Sequence, residues 1–363
     1  MPPTLKEIVK ERILALIQSG EWAPGYQIPS ERALAEEFGV SRVTIREALQ
    51  ALDAQGVFKR ASGAGARIVA PPAGARSQEI ALVVPDIRSS HYSTPSDAFL
   101  QHAHERGYDV SVRLYRESPE LFEATLQKLA GEGIGGIAVV IPRNCPTSSL
   151  VLLERLPCPL VLMSRGVQYL AAHQVVVDNE RLGEMATEHL LSLGHTRIAC
   201  LAVTDYPVGR ERALGYIKAL KRRGVPYDPE LVVDLTKFAL GSDAGARAID
   251  DLLERGVEFT AVVGFNYRQA ALALSALERR GMRVPGDIAV IDIDEPHDGF
   301  LPDLSTVAID WQEVGRVAAA TLINEVERPG TRRPAIFRCQ SRVVPRLSCG
   351  YLQPAQPAGE GLA

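Results

Sequence analysis

The stretch SERALAEEFGVSRVTIREAL, residues 30–49, contains two short amphipathic helical patterns separated by Gly39. Ser30 is predicted to cap the first helix, with Glu31 in its first turn, and Gly39 is predicted to end it. Ser41 is predicted to cap the second helix in the same way. The stretch therefore predicts two short helices joined by a tight turn, and it raises the question of what its exposed arginines bind.

The residues on either side extend this pattern. Apolar residues with helical spacing predict a further helix over 5–18, and VFKRASGAGARIV, residues 57–69, predicts a two-stranded hairpin with a glycine-rich tip. Three helices and a hairpin form a winged helix-turn-helix, which we assign to residues 1–67. The Pro/Gly/Ala-rich segment 68–78 is predicted to be a linker.

The arginines of the third helix fit a role in DNA binding. In a helix-turn-helix, the second helix of the motif presents its N-terminal residues to bases and phosphates in the major groove. Arg42 and Arg46 are four residues apart and share one face of this helix. Val43, Ile45 and Leu49 are expected to face the core. The alternative is that the arginines form a solvated surface paired with glutamates, namely Glu31, Glu36 and Glu47.

Residues 79–352 show a different pattern. Short runs of Val, Ile and Leu alternate with amphipathic helical segments, which is typical of parallel strands buried on both faces. The runs are IALVV, DVSVRL, GIAVVI, PLVLM, QVVVD, RIACLAV, LVVDL, AVVGF and DIAVI. The length favours two doubly wound α/β lobes that face a cleft. The Pro/Gly/Ala-rich tail, residues 353–363, is predicted to be flexible.

Composition excludes several other classes of protein. Of the 363 residues, 46% are hydrophobic and 23% are charged, which is ordinary for a globular protein. We find no signal peptide and no uninterrupted run of 18 apolar residues, so we predict a cytoplasmic protein without a membrane partner. The five cysteines form no CxxC pair, and we predict neither a metal site nor a cofactor.

The N-terminal motif also resembles a known family. PSERALAEEFGVSRVTIREALQALDAQGV, residues 29–57, is similar to the signature of the GntR-family regulators, and KRASGAGARIV resembles their wing. This resemblance implies a set of residues at the DNA, comprising Arg32, Ser41, Arg42, Thr44, Arg46 and the wing glycine Gly63.

The second domain resembles the effector domain of the LacI/GalR family, which is itself similar to periplasmic sugar-binding proteins. DNERLGEMATEHLLSLGHTRIA, residues 178–199, is its most specific block, and VPGDIAVIDIDE follows in the family's order. The resemblance implies two lobes joined by three crossings. We expect one lobe from about 79–169 and 296–325, and the other from about 170–295 and 326–352.

The same resemblance implies a ligand in the cleft, bound by Arg212, Arg165 and Asp178. This chain departs from the family pattern at RSSHYSTPS, residues 88–96, and at Tyr267, where the family has aspartate. His91, Tyr92 and Tyr267 either replace the lost contacts or are ordinary loop residues. The predicted ligand-binding set is His91, Tyr92, Arg165, Asp178, Arg212, Asn266, Tyr267 and Asp294.

The resulting prediction is a ligand-responsive repressor that binds a palindromic operator as a homodimer. A monosaccharide such as arabinose, or a derivative, is the implied effector, with release from DNA as the expected response. Co-repression and an effector domain that only dimerises are the alternatives. An enzyme is disfavoured because the chain lacks a P-loop, a GxGxxG after the first strand, a nucleophile elbow and a cysteine–histidine pairing.

Overall fold

The computed structural model describes residues 4–18, 22, 26–53, 58–60, 66–68, 78–238, 243–294, 301–329 and 333–350. The chain divides into two compact units, residues 1–77 and 78–363. Three predicted features lie wholly or mostly outside the described residues: Gly63 in the wing, the linker apart from its two end residues, and the tail 353–363.

The first unit contains three helices and a hairpin. These are α1 (Leu5–Gln18), α2 (Glu31–Phe38), α3 (Arg42–Asp53), β1 (Phe58–Arg60) and β2 (Ala66–Ile68). Strands β1 and β2 pair antiparallel, as predicted. The Ser30 side chain accepts a hydrogen bond from the amide of Ala33, and Gly39 ends α2 with a φ of 67°, so both predicted helix boundaries are confirmed.

One residue of α3 differs from the prediction. Ile45, Ala48 and Leu52 are fully buried, but the Val43 side chain is 60% exposed. Successive residues of a helix are rotated by about 100°, so Val43 lies on nearly the opposite face from Ile45. The core of the first unit therefore takes Ile45, and Val43 points to solvent beside the arginines.

The second unit begins with β3 (Glu79–Val84) and is built from parallel strands and helices. The remaining strands are β4 (Asp109–Leu114), β5 (Ile137–Val139), β6 (Leu160–Ser164), β7 (His173–Val177), β8 (Ile198–Ala202), β9 (Val232–Asp234), β10 (Ala261–Val263), β11 (Ala289–Ile293), β12 (Ser305–Ile309), β13 (Ile336–Cys339) and β14 (Ser341–Val344). The helices are α4 (Ser90–Glu105), α5 (Pro119–Gly131), α6 (Thr147–Glu154), α7 (Asn179–Ser192), α8 (Pro207–Arg222), α9 (Ala244–Glu254), α10 (Tyr267–Arg279) and α11 (Trp311–Glu327).

The described strands of this unit form two six-stranded sheets, which confirms the predicted α/β class. The first has the order β13-β7-β6-β5-β3-β4, and the second has the order β14-β12-β11-β10-β8-β9. Strand β14 runs antiparallel to β12, and the other described pairs are parallel. Each predicted apolar run contributes a strand, and the central strands of both sheets are buried.

The lobe boundaries differ from the expected ones. Strand β7 pairs with β6 in the first sheet, although it was expected in the second lobe. Strand β12 belongs to the second sheet and β13 to the first, again the reverse of the expectation. The chain therefore crosses between the lobes from β7 to α7, from β12 to α11 and from β13 to β14. The sequence of an apolar run does not indicate which parallel strand it will pair with, which explains the difference.

None of the helices in the described ranges combines the length and the apolar character needed to cross a lipid bilayer.

Candidate functional site

The N-terminal turn of α3 is built by its own hydroxyl groups. The Ser41 hydroxyl accepts a hydrogen bond from the Thr44 amide at 3.1 Å and lies 2.9 Å from the Thr44 hydroxyl. This cap satisfies one of the free amides at the start of the helix. Ser41, Arg42 and Arg46 are exposed and Thr44 is half-buried. The predicted residues of α3 are thus accessible in its first turns, with Arg42 and Arg46 on one face.

The arginines of this surface differ in their partners. Arg46 donates three hydrogen bonds to the carboxylate of Glu31, from Nε to Oε1 at 3.2 Å and to Oε2 at 3.1 Å, and from Nη2 to Oε2 at 2.7 Å. These bonds and the charge of Glu31 raise the pKa of Arg46. Arg32 lies 3.6 Å from Glu36. Arg42 forms no ion pair with any residue that the structure describes. Exposed ion pairs are weak, so a DNA phosphate can displace the glutamates from these arginines. Pairing with glutamate in the free protein is therefore compatible with DNA binding.

The second unit has a cleft between its two lobes, at the carboxyl ends of the parallel strands. A cavity of about 400 Å³ there adjoins a second one of about 790 Å³. Arg143, Ser164 and Arg165 line both. Ligands of open α/β sheets bind outside this edge of the sheet, which makes the cleft the candidate effector site.

The first lobe contributes a connected group of charges to the cleft. Arg165 donates hydrogen bonds to Glu117 at 2.8 Å, to the carbonyl of Ile141 at 2.7 Å and to the hydroxyl of Tyr92. Tyr92 donates in turn to Glu117 at 3.0 Å. Burial by itself would raise the pKa of Glu117, but the hydrogen bonds and charge of Arg165 outweigh it and the pKa is lowered. Arg165 and Tyr92 are therefore held in place before any ligand binds.

The second lobe contributes Arg212, which lies in α8 and is 8% exposed. Its Nε donates to the side chain of Asn179 at 3.1 Å, and its Nη1 donates to the carbonyl of Phe265 at 2.7 Å. Burial lowers the pKa of Arg212, and the charge of Asp294 opposes this shift. Close helix packing fixes this position, because a Cβ atom on Gly183 of α7 would lie 2.0 Å from the Arg212 carbonyl oxygen.

Aromatic rings line the space between these charges. The ring of Tyr206 lies 6.0 Å from that of Phe265, and His91 lies 6.5 Å from Trp311. The Trp311 indole donates a hydrogen bond to Asp294 at 2.7 Å, which links the two lobes. Burial lowers the pKa of His91, so its imidazole is neutral at pH 7. Such rings provide a stacking surface for a sugar or another flat apolar face.

Three of the predicted ligand residues also have local structural roles. Asp178 caps α7 by accepting from the Arg181 amide, and it lines only the larger cavity. The Asn266 side chain caps α10 by accepting from the Gln269 amide. The Tyr267 hydroxyl accepts from the amide of Leu301 at 2.9 Å. Apart from Asp178, all the predicted residues line the smaller cavity, namely His91, Tyr92, Arg165, Arg212, Asn266, Tyr267 and Asp294.

Several residues that line or support the cleft were not predicted from the sequence, and six of them contribute a charge, a hydrogen bond or a ring to the site. They are Glu117, Arg143, Asn179, Tyr206, Phe265 and Trp311. A signal for them was present, because each follows the carboxyl end of a predicted or observed strand by a few residues.

Backbone conformation also singles out the cleft. Among the described residues, five non-glycine residues have a positive φ, and three of these are Glu117, Ser164 and Asp294, at 57°, 71° and 76°. Ser164 and Asp294 line the smaller cavity, and Glu117 holds Arg165 beside it. Strained backbone of this kind concentrates at binding sites, where the surrounding structure enforces it.

One pairing was not expected from the sequence. His189 Nε2 lies 3.1 Å from the Cys349 sulfur, which also accepts a hydrogen bond from Ser305 at 2.8 Å. Burial would raise the pKa of Cys349, but the hydrogen bonds from His189 and Ser305 and the charge of His189 together outweigh it, and the pKa is lowered. The thiol is 3% exposed and lies under the second sheet, which favours a packing role. Within the described ranges, no group of three or more potential ligands is placed to hold a metal ion.

Two family models match the chain. Residues 5–68 match the bacterial regulatory proteins of the gntR family, and residues 187–349 match a periplasmic binding protein-like domain. The first covers the winged helix-turn-helix, and the second covers most of the second lobe and the C-terminal strands.

Relatives extend the match. The chain is 32% identical over 247 residues to the HTH-type transcriptional regulator DegA of Bacillus subtilis, covering 67% of this chain and 72% of DegA. It is 28% identical over 356 residues to the arabinose metabolism transcriptional repressor of Halalkalibacterium halodurans, covering 92% of each. The structure of the transcriptional regulator CelR in complex with cellobiose matches with a TM-score of 0.65 at 25% identity, covering 88% of this chain and all of that one.

These relatives are transcriptional regulators and not enzymes, in agreement with the prediction from the sequence. This chain has a GntR-type DNA-binding domain followed by a LacI-type effector domain. Its match to the arabinose repressor spans both domains. The chain belongs to the bacterial transcriptional regulators, with a gntR-family DNA-binding domain followed by a periplasmic-binding-protein-like effector domain.

Proposed function

We propose that this protein is a repressor that binds a palindromic operator as a homodimer and is released when a monosaccharide or a derivative binds in the cleft. The observation that carries the proposal is the presence, in one chain, of an exposed arginine surface on α3 and a preformed polar cleft containing Arg212. Because its partner is chromosomal DNA, the cytoplasm is the proposed location.

The exposed surface supports DNA binding. Arg42 is free of ion pairs within the described residues, and Arg46 exchanges an exposed carboxylate for a phosphate or guanine at no large cost. Arginine binds both groups through its planar fork. One winged helix contacts too few bases for useful specificity, so two copies reading two half-sites are required.

The named relatives support a sugar effector. One relative is a repressor of arabinose metabolism, and one structural neighbour is a complex with cellobiose. The cleft has the aromatic rings and fixed hydrogen-bonding groups that sugar recognition requires. Thermodynamic linkage then requires that effector and operator affect each other's affinity by the same factor.

Fluorescence anisotropy on DNA from upstream of the protein's own gene tests both halves at a fixed salt concentration. Salt must be fixed because phosphate contacts make affinity steeply salt-dependent. The titration uses arabinose, other pentoses, hexoses, sugar acids and sugar phosphates, and we expect one of them to release the DNA. Tighter binding on addition would instead identify a co-repressor. If no compound changes operator affinity or thermal stability, the result would favour the alternative in which the effector domain only dimerises.

Arg212→Ala separates the two activities. We expect this variant to bind the operator normally and to lose its response to the effector. Arg279→Ala, on the exposed end of α10, is the matched control and should respond like the unaltered protein. A normal response by Arg212→Ala would remove Arg212 from the effector site.

A further inference from the structure

The smaller cavity of the cleft has an excess of positive charge. Its described lining contains Arg143, Arg165, Arg212 and Arg268, against Asp294 as the one carboxylate. Glu117, beside the cavity, forms ion pairs with Arg165 at 2.8 Å and with Arg143 at 3.4 Å. At the smaller cavity, two carboxylates thus face four guanidinium groups, and His91 is neutral because burial lowers its pKa. The carboxylates of Asp178, Glu180, Glu184 and Glu211 line the adjoining larger cavity instead.

Arg212 is the most unusual of these cations. It is buried, and its two hydrogen bonds go to a neutral amide and a neutral carbonyl, those of Asn179 and Phe265. No ion pair within 4.0 Å joins its guanidinium to a carboxylate of the described residues, although the charges of Asp294, buried Asp292 and Glu211 are near enough to oppose the lowering of its pKa. Buried charges are normally paired, because desolvation without a counterion is costly.

Arg143 approaches the same space from the other lobe. Its guanidinium lies 5.5 Å from the ring centroid of Tyr206, and that of Arg212 lies 5.1 Å from the centroid of Phe265. These two rings are 6.0 Å apart at 90° to each other. Neighbouring rings therefore position two guanidinium groups from opposite lobes. Arg212 forms no ion pair with a described residue, and Arg143 is only weakly paired to Glu117.

The acceptors that a neutral sugar needs are scarce here. Sugar hydroxyls are donors as well as acceptors, and carboxylates are the side chains that accept from them bidentately. Among the described residues that line the smaller cavity, only Asp294 has a carboxylate, and its Oδ1 already accepts from Trp311. The cavity offers an excess of donors.

We infer that the effector carries an oxyanion, a phosphate or a carboxylate, and that Arg212 and Arg143 bind it while the aromatic rings contact the rest of the molecule. The inference rests on the proposed role of the cleft as the effector site. The ion would give Arg212 a directly bonded ionic partner and would connect the lobes. Bidentate arginine–oxyanion contacts are strong and directional, so they suit this task.

Matched triplets of sugars test the inference on the full-length protein: arabinose, arabinonate and arabinose 5-phosphate, and glucose, gluconate and glucose 6-phosphate. Thermal unfolding is followed at constant ionic strength, with inorganic phosphate as a further probe. We expect at least one anionic compound to raise the unfolding midpoint at concentrations where its neutral parent does not. The acid and phosphate arms identify which oxyanion is preferred. A neutral sugar that binds as well as its anionic derivatives, or no binding by any anion, overturns the inference.

Variants locate the binding charge. Arg143→Gln should weaken binding of the active anion by about tenfold or more, because a charged hydrogen-bond donor is lost. Arg212→Gln should weaken binding to a similar extent. If Arg212→Gln does not fold, Arg143→Gln alone tests the assignment, because the Arg143 side chain is half exposed and its replacement leaves the core intact. Arg279→Gln is the surface control. Unchanged anion affinity in Arg143→Gln overturns the assignment.

Operator anisotropy, run in parallel, distinguishes this inference from the proposed function. Release of DNA by a neutral sugar alone rejects the oxyanion and keeps the sugar-released repressor. Binding of an anion without any change in operator affinity keeps the oxyanion site and rejects the proposed coupling.

Discussion

The indole nitrogen of Trp311 donates a hydrogen bond to Oδ1 of Asp294 at 2.7 Å, and the two residues belong to opposite lobes. Trp311 begins α11, which packs on the first sheet, and Asp294 follows β11 of the second sheet. We expect a change in the opening of the cleft to alter this bond.

Trp311 should therefore report effector binding. The chain has two tryptophans, and the other, Trp22, is buried in the first unit. We expect the compound that raises the unfolding midpoint to shift tryptophan emission in the unaltered protein and to leave it unchanged in Trp311→Phe. An equal shift in Trp311→Phe would show that the signal comes from Trp22 and contradict a change at the cleft.

The exposed surface of α3 yields a prediction for DNA binding. Arg42→Ala and Arg46→Ala should each weaken operator binding by about tenfold to a hundredfold if the arginine contacts a base bidentately. Arg279→Ala serves as the control in the same anisotropy assay. If both α3 variants bind the operator with unchanged affinity, the arginines do not contact DNA, and the alternative of a solvated surface paired with glutamates is correct.

The contact between α7 and α8 yields a prediction for stability. Gly183→Ala places a methyl group 2.0 Å from the backbone oxygen of Arg212, so the helices must separate. We expect a loss of about 1–3 kcal/mol in the free energy of unfolding, measured with urea, and a weakened effector response. Gly131→Ala, at a glycine with no heavy atom within 4 Å of the added Cβ, should cause no such loss.

The buried imidazole of His91 yields a prediction for pH dependence. Burial lowers the pKa of His91 in the folded state below its ordinary value of 6.5, against the charge of Asp294 and aided by Arg165 and Arg143. The unfolded state then binds more protons, so His91 contributes stability above pH 6.5 that is lost as the pH falls below it. Urea unfolding at pH 7.5 and 5.5 should show this loss, and His91→Gln should reduce it.

His104, on the exposed end of α4, provides the control for that experiment. His104→Gln should keep the pH dependence of the unaltered protein. A residual slope in His91→Gln is expected from His195, whose pKa burial also lowers. An identical slope in His91→Gln and the unaltered protein would contradict the prediction.

Local features of the fold could be predicted from the sequence because their causes are local. Ser30 and Gly39 bound α2 through contacts within a few residues, and apolar runs identify strands wherever they pair. The placement of β7 in the first lobe could not be predicted, because its residues would be buried equally well in either sheet. The pairing of His189 with Cys349, 160 residues apart, leaves no trace in the sequence.

The site was predictable in part. Arg165 and Arg212 were found through a family resemblance, and both line the cleft. Arg143 and Trp311 were missed, although both follow strand ends, because nothing in a single sequence says which of many loops meet. Val43 was placed in the core by its apolar character, whereas the helix rotation set by Ile45 exposes it.

The three crossings between the lobes have a consequence for biosynthesis. The DNA-binding unit is one continuous segment, so all of it has been translated before the effector unit begins. The first sheet, by contrast, needs β13 for its edge, and the second needs β14, both from the last thirty residues. A chain that ends before β13 would carry a complete DNA-binding unit and two unfinished sheets with open edges, prone to aggregation and unable to respond to an effector.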